Sequence, residues 1–165
     1  MGMDKACLVV DGEPQAPRMV RLISEAGLPV TVLGRKPIEG ASFLEDAEEF
    51  GGPLAALGRF VPSARLVFVT SCDLPAFSAQ VVQVLRSEIG ESQAAVPLVA
   101  GFRQPLCALY RPAAFASARM LAKAGERRVM RWLDPLEVRE IALPNPLWAT
   151  SANTPAEWEA LVSGR

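Results

Sequence analysis

Leu66-Val67-Phe68-Val69-Thr70-Ser71-Cys72-Asp73-Leu74-Pro75 reads as a β-strand that stops on a carboxylate. A continuous apolar run without polar alternation suits a strand covered on both faces, as in a mostly parallel sheet. Pro75 cannot donate to a ladder and ends the run. Open α/β sheets hold their ligands beyond the carboxyl ends of the strands. Asp73 therefore stands where a hard metal ion and a phosphate are expected. Taken alone, a strand followed by Asp-Leu-Pro equally suits an aspartate that opens a turn or caps the next helix.

Upstream of this run, residues 29–33 read as a strand left through Gly34-Arg35-Lys36-Pro37. Before it comes a helix from Ala16, with Met19, Val20, Ile23 and Ala26 at helical spacing and Gly27 as its stop. Residues 6–10 form a short apolar run that turns through Asp11-Gly12-Glu13-Pro14, a small hairpin or loop excursion. A loop carrying the acidic cluster Glu45-Asp46-Ala47-Glu48-Glu49 leads to a helix over residues 54–60, opened by Gly51-Gly52-Pro53.

Downstream, Ser78 starts a helix to about Ile89 that turns Val81, Val82, Leu85 and Ile89 inward. Residues 94–99 and 105–110 read as strands joined by an antiparallel turn at Gly101-Phe102. A helix over 113–124 ends at Gly125, a helical turn covers 129–133, and a late strand covers 138–143. Asn153-Thr154-Pro155 opens a last helix with Thr154 as its cap. Alternating strands and helices predict a single α/β domain over residues 1–165, with helices on both faces of a mostly parallel sheet. Such folds open with a buried strand running into a glycine-rich phosphate loop, and this sequence opens with neither.

Composition narrows the chemistry. The 165 residues are 50% apolar and 21% charged, which is enough to bury a core. The net charge of -1 gives no bulk basicity for nucleic acid, while local basic clusters still suit a small anion. Cys7, Cys72 and Cys107 form no Cys-x-x-Cys pair, so neither a zinc knuckle nor a disulfide framework is indicated, and a reducing cytoplasm is expected. Histidine is absent, which excludes Ser-His and Cys-His nucleophile pairs and imidazole metal sites. Carboxylates, lysine, amides and a borrowed metal remain. No secretory core or membrane span is visible. Met1-Gly2 opens like a myristoylation signal, but Ala6 stands where Ser or Thr is required.

Several short blocks fall in a familiar order: Met1-Gly2-Met3-Asp4-Lys5, Asp11-Gly12-Glu13-Pro14, Glu45-Asp46, Gly52-Pro53-Leu54-Ala55 and Cys72-Asp73-Leu74-Pro75. They continue with Gln104-Pro105-Leu106-Cys107-Ala108-Leu109-Tyr110, Ala124-Gly125-Glu126-Arg127-Arg128-Val129-Met130 and Asn153-Thr154-Pro155. Each is weak alone. Together, in order and across the chain, they resemble the molybdenum cofactor guanylyltransferase family of the nucleotidyltransferase-like (Rossmann-like) three-layer α/β group. The first block matches only the end of the family's Leu-Ala-Gly-Gly-x-Ser-x-Arg-Met-Gly-x-Asp-Lys signature. The first strand and most of the glycine-rich loop are absent from this sequence. Met1 falls on the methionine of Arg-Met-Gly, so a start assigned too late is the expected reason, ahead of a trimmed chain or a lost loop. Ser151 and Ala56 are smaller departures, standing where family members often have Asn and some have Gly.

The resemblance implies transfer of GMP from GTP to molybdopterin, with release of pyrophosphate and with Mg2+ as cofactor. It implies Asp73 as the magnesium ligand and Asn153 as a nearby oxygen donor or water-mediated partner. Lys5 would face the nucleotide phosphates, with Gly2 and Asp46 also on the nucleotide. Gly52 and Pro53 would form a platform for phosphate or pterin, and Arg128 would grip the molybdopterin phosphate by its fork. The plain alternatives are a solvated terminal lysine, one more charge in an acidic loop, a helix start and a surface arginine. Trp132, Trp148 and Trp158 are expected in the core or an interface rather than on a pterin. Expected partners are GTP, molybdopterin and molybdenum insertion proteins or molybdoenzyme chaperones, with no nucleic acid and no membrane. Two other readings stand beside this one. One is a related transferase using CTP or another phosphorylated acceptor; the other is a non-catalytic relative that binds molybdopterin or a partner protein. Without the first strand, the strands at 29–33 and 66–70 are expected either to leave a gap of unpaired backbone or to close on each other.

Overall fold

A computed structural model describes residues 5–46 and 51–164. The described chain begins with a turn of 3-10 helix, Lys5–Cys7, followed by β1 (Val9–Val10) and β2 (Glu13–Pro14). Asp11 and Gly12 have φ of 54° and 82°, the paired left-handed residues of a type I′ hairpin turn. In α1 (Gln15–Glu25) Met19, Val20 and Ile23 are buried, as their spacing predicts. Gly27, at φ 79°, ends the helix; Gly27 N donates to Ser24 O and Leu28 N to Ile23 O, which satisfies the last carbonyls.

β3 (Thr31–Gly34) pairs in parallel with β4 (Ser42–Glu45). The sequence reading placed a loop over β4. Ser42, Phe43 and Glu45 are exposed and only Leu44 is half-buried, so the strand carries no apolar period to read. α2 (Gly52–Arg59) follows and leads to β5 (Val67–Thr70), α3 (Gln80–Glu88) and β6 (Ala94–Val99). Next come β7 (Phe102–Arg103), β8 (Cys107–Tyr110), α4 (Ala114–Lys123), a 3-10 turn at Val129–Leu133 and β9 (Val138–Ile141). A 3-10 turn at Pro146–Ala149 leads to α5 (Pro155–Ser163).

β5, β8, β6 and β9 lie side by side, with β5, β6 and β9 running one way and β8 the other. Ala100 and Gly101, at φ 49° and 81°, turn β6 back into β7. Leu98 faces Arg103 but Ala95 faces Leu109, so Gln104-Pro105-Leu106 bulge out of the return strand. Tyr110 Oη donates to Pro105 O at 2.8 Å and pins the bulge from below.

The two faces of the sheet build separate cores, the three-layer arrangement expected. Ala95, Cys107, Leu109 and Ile141 pack with Met19 and Ile23 of α1 and Val81 and Leu85 of α3. Val69, Ala94, Val96, Ala108 and Tyr110 pack with Leu54, Leu57, Phe115 and Trp132 on the other side. Trp132 stacks on Tyr110 with centroids 4.1 Å apart, and its Nε1 donates to Ala114 O. Trp158 is buried with Val10 and Ala152, and Trp148 packs against the α1–α3 core. α2 and α4 touch closely at Gly58, where a Cβ would sit 3.0 Å from Ala122 Cβ and 3.2 Å from Ala118 O.

Two findings concern the strands expected at 29–33 and 66–70. β3–β4 and the main sheet are separate sheets among the described residues, so β3 and β5 do not close on each other. The run at 66–70 is also less buried than its apolar sequence suggests: only Val69 is fully buried, while Leu66, Val67 and Phe68 are half-covered. The reason is positional. β5 pairs with β8 on one side and has no strand partner on the other among the described residues.

Candidate active site

Asp73 lies just past the carboxyl end of β5, as the sequence predicts, and the chain around it is tied down on several sides. Ser71 Oγ donates to Asp73 Oδ1 at 2.5 Å, and Ser71 N donates to Leu106 O at 3.0 Å. The bulge after β7 thus supports the aspartate's own turn. Ala152 N donates to Asp73 O at 2.8 Å. Gln15, fully buried at the start of α1, donates from Nε2 to Leu74 O at 2.8 Å. Buried Arg18 donates to Gln15 Oε1 and to Pro75 O. With the Asp73, Leu74 and Pro75 carbonyls all engaged, the loop holds its side chain in one place without help from a ligand.

The segment before α5 meets this loop. Thr154 Oγ1 accepts from Glu157 N, and the Glu157 carboxylate accepts from Asn153 N at 2.6 Å and Thr154 N at 3.1 Å, a capping box. Those backbone donors, with a smaller contribution from the Lys5 charge, hold the Glu157 carboxyl below its ordinary value. With its backbone fixed, Asn153 presents its side chain toward Lys5. Lys5 Nζ donates to Asn153 Oδ1 at 3.0 Å and lies 3.6 Å from Asp73 Oδ2. Lys5, Asp73 and Asn153, three residues singled out from sequence and far apart along the chain, are brought together.

Two clefts adjoin Asp73 and Asn153. One, of about 190 Å³, is lined by Ser71, Asp73, the bulge Gln104-Pro105-Leu106, Met130 and Ser151. The other, of about 390 Å³, is lined by Thr150, Ser151, Asn153, Glu157 and Leu161. Ser151 lines both, Asp73 the first and Asn153 the second.

Arg128 stands immediately before the 3-10 turn whose Val129 and Met130 face the first cleft. Its side chain is exposed and engaged with Glu126: Nε reaches Oε1 at 3.1 Å and Nη2 reaches Oε2 at 3.0 Å. Glu126 Oε1 also accepts from the backbone N–H groups of Arg127 and Arg128. Led by the Arg128 side chain, these donors pull the Glu126 carboxyl down to about 2. Gly52, at φ 74°, opens α2 beside the Arg127 carbonyl, with Pro53 exposed next to it. Asp46 extends the β3–β4 pairing through its N–H to Gly34 O and lies outside both clefts. Gly2 lies outside the described residues. Gln15, Arg18 and Ser71 were not singled out from sequence. Gln15 and Arg18 fall one helical turn apart on the apolar stripe of α1, and polar residues on such a stripe are the signal.

Among the described residues no three acidic, cysteine or histidine side chains gather as a self-sufficient metal cage. Magnesium does not need one: it binds through one or two carboxylates, keeps water and completes its shell with substrate phosphates. Asp73, Asn153 Oδ1 and Ser71 Oγ are hard oxygen donors of that kind. The Lys5 ammonium already sits between two of them, so the spot accepts positive charge. The residues present fit a magnesium ion.

Comparison with known proteins gives a consistent result. The chain is 33% identical to a probable molybdenum cofactor guanylyltransferase of Opitutus terrae, over 87% of this chain and 78% of that protein. It is 28% identical to a probable molybdenum cofactor guanylyltransferase of Synechococcus elongatus, over 98% of this chain and 91% of that protein. The crystal structure of molybdopterin-guanine dinucleotide biosynthesis protein A from Archaeoglobus fulgidus superposes with a TM-score of 0.77 at 18% identity, covering 98% of this chain and 90% of that one. A Mycobacterium tuberculosis protein solved as a complex with manganese superposes with a TM-score of 0.70 at 18% identity, covering 98% and 93%. These superpositions show a shared nucleotidyltransferase-like α/β fold. Residues 1–138 match the model of the MobA-like NTP transferase domain, and the chain belongs to that family of nucleotidyltransferases.

Proposed function

We propose that this chain transfers GMP from GTP to the terminal phosphate of molybdopterin and releases pyrophosphate, with magnesium as its cofactor. The observation that carries the reading is the convergence of Lys5, Asp73 and Asn153 at the end of β5, beside two clefts. The names of the relatives from Opitutus and Synechococcus support the substrates, and the manganese complex supports a divalent ion.

The chemistry is the approach of two polyanions and the departure of a third, which calls for charge neutralisation and alignment and no covalent intermediate. Asp73 and Asn153 would hold the magnesium, with Ser71 fixing the Asp73 rotamer. Bound there, the ion would neutralise phosphate charge. The Lys5 ammonium is within reach of the same phosphates and adds a mobile cation without geometric demand. Arg128 precedes Val129 and Met130 of the first cleft in sequence, and a phosphate monoester there would compete with Glu126 for its planar fork. Gly52 and Pro53 place the start of α2 beside the Arg127 carbonyl, which suits a platform for the acceptor. Asp46 and Gly2 are assigned to the nucleotide, and molybdenum insertion proteins or molybdoenzyme chaperones are the proposed protein partners. The reaction belongs in the cytoplasm.

One observation favours a second reading. The outer edge of β5 has no strand partner among the described residues, so a chain that binds molybdopterin or a partner without turning over nucleotide also fits. CTP in place of GTP is a further variant of the first reading. Product formation separates them: incubation with GTP, magnesium and molybdopterin should yield guanine dinucleotide and pyrophosphate, with CTP as the parallel arm. Failure to form product, with molybdopterin still bound, supports the second reading.

A further inference from the structure

We propose that Lys5 is a resident counter-ion that a divalent cation must displace: its ammonium and the metal are alternative occupants of one oxygen site. The proposal rests on the reading that Asp73 and Asn153 hold the metal. It starts from a geometric conflict. Lys5 Nζ donates to Asn153 Oδ1 at 3.0 Å and lies 3.6 Å from Asp73 Oδ2, so it spans the two donors a metal would use. An ion bridging those oxygens would lie within a few ångströms of Nζ, at about the distance where like charges repel strongly. The two cations cannot share the site.

The rest of the environment makes the exchange selective. Asp73 Oδ1 is committed to Ser71 Oγ, which leaves Oδ2 as the oxygen both cations want. The capping box fixes the Asn153 backbone, so the residue keeps its place when the lysine leaves. Lys5 lies on a single turn of 3-10 helix with no buried residue, and its long stem can swing. Both the Lys5 and Asp73 side chains keep 25% of their surface exposed, so the lysine has a route out to solvent or to a phosphate.

The exchange has a functional consequence. Without nucleotide the ammonium neutralises Asp73 and weakens binding of free metal. When a metal–nucleotide complex arrives, its phosphates offer the displaced ammonium a new anionic partner. Metal and nucleotide would then bind with positive coupling, because each removes the other's cost. The metal site would be loaded by the nucleotide complex rather than by free metal.

Two direct readouts test this on the full chain without nucleotide. The first is manganese binding by electron paramagnetic resonance for the wild type, Lys5→Met and Asp73→Asn. Lys5→Met should bind manganese about fivefold more tightly, the scale of one partly exposed ion pair, and Asp73→Asn should lose the site. The second is acetylation of Lys5 by acetic anhydride, read by peptide mass spectrometry. In the wild type it should speed up several-fold as magnesium saturates the site. In Asp73→Asn it should be fast throughout and indifferent to magnesium. Manganese lost in Asp73→Asn, with Lys5→Met unchanged and Lys5 acetylation unaltered by magnesium, would overturn the exchange while leaving the metal assignment intact. Manganese binding indifferent to Asp73→Asn would overturn both.

Discussion

Ala152 donates its backbone N–H to the carbonyl oxygen of Asp73 at 2.8 Å, joining the approach to α5 to the end of β5. Through that bond the carboxylate expected to hold a metal and the Asn153 amide beside it share one framework. Residues 80 positions apart in the chain keep their relative placement because backbone, not side chain, connects them.

Gln15→Ala removes the buried Nε2 donor to Leu74 O, which keeps Phe77 N at 3.1 Å, and takes the Oε1 acceptor away from buried Arg18. Loss of a hydrogen bond whose acceptor keeps a second donor costs about 0.5–1.5 kcal/mol. Urea unfolding should show a midpoint lowered to match, with an unchanged slope.

Gly58→Ala places a Cβ 3.0 Å from Ala122 Cβ and 3.2 Å from Ala118 O, where α2 crosses α4. Overpacking of this kind costs about 1–3 kcal/mol and outweighs the roughly 1 kcal/mol by which alanine favours a helix over glycine. Thermal unfolding should shift down. An upward shift would show that α2 and α4 separate easily.

Acid should weaken the fold through Glu126 and Glu157. Both carboxyls are held below their ordinary value of 4.5 in the folded chain, Glu126 at about 2. A depressed folded value means the unfolded chain binds the proton more readily. The stabilisation is therefore complete above 4.5 and is lost as pH falls toward the folded value. Glu126→Gln should flatten the decline in the unfolding midpoint between pH 4.5 and about 2, as followed by circular dichroism.

Thiol labelling should separate the cysteines. Cys7 is exposed, and Cys107 is buried with its thiol pushed up by burial and by the nearby Asp73 charge. A maleimide should modify native Cys7 readily and reach Cys107 only on unfolding, as mass spectrometry would show.

Much of this architecture is legible in the sequence where a local signal is strong. Asp11-Gly12 announces a type I′ turn, Gly27 and Gly125 end helices, and Thr154 with Glu157 spells out a cap. The spacing of Val81, Val82 and Leu85 gives the inner face of α3. β4 is not legible, because a four-residue strand with one half-buried side chain has no period. The bulge at Gln104-Pro105-Leu106 is not legible either, since it is defined by the register of two strands and not by its own residues. Gluing Lys5 to Asn153 needs the whole fold: nothing local predicts that contact. Of the residues singled out, Asp73 was legible from its place after a strand, whereas Lys5 and Asn153 came from the family resemblance alone.

The account turns on Asp73 as the residue that holds the metal for the phosphates. Crystals grown with GTP and manganese, measured at a wavelength where manganese scatters anomalously, test it directly. The account predicts an anomalous peak coordinated by the Asp73 carboxylate, with the GTP phosphates on the same ion and Lys5 moved off Asn153. A nucleotide bound with its manganese held elsewhere, and Asp73 still paired with Lys5, would contradict it.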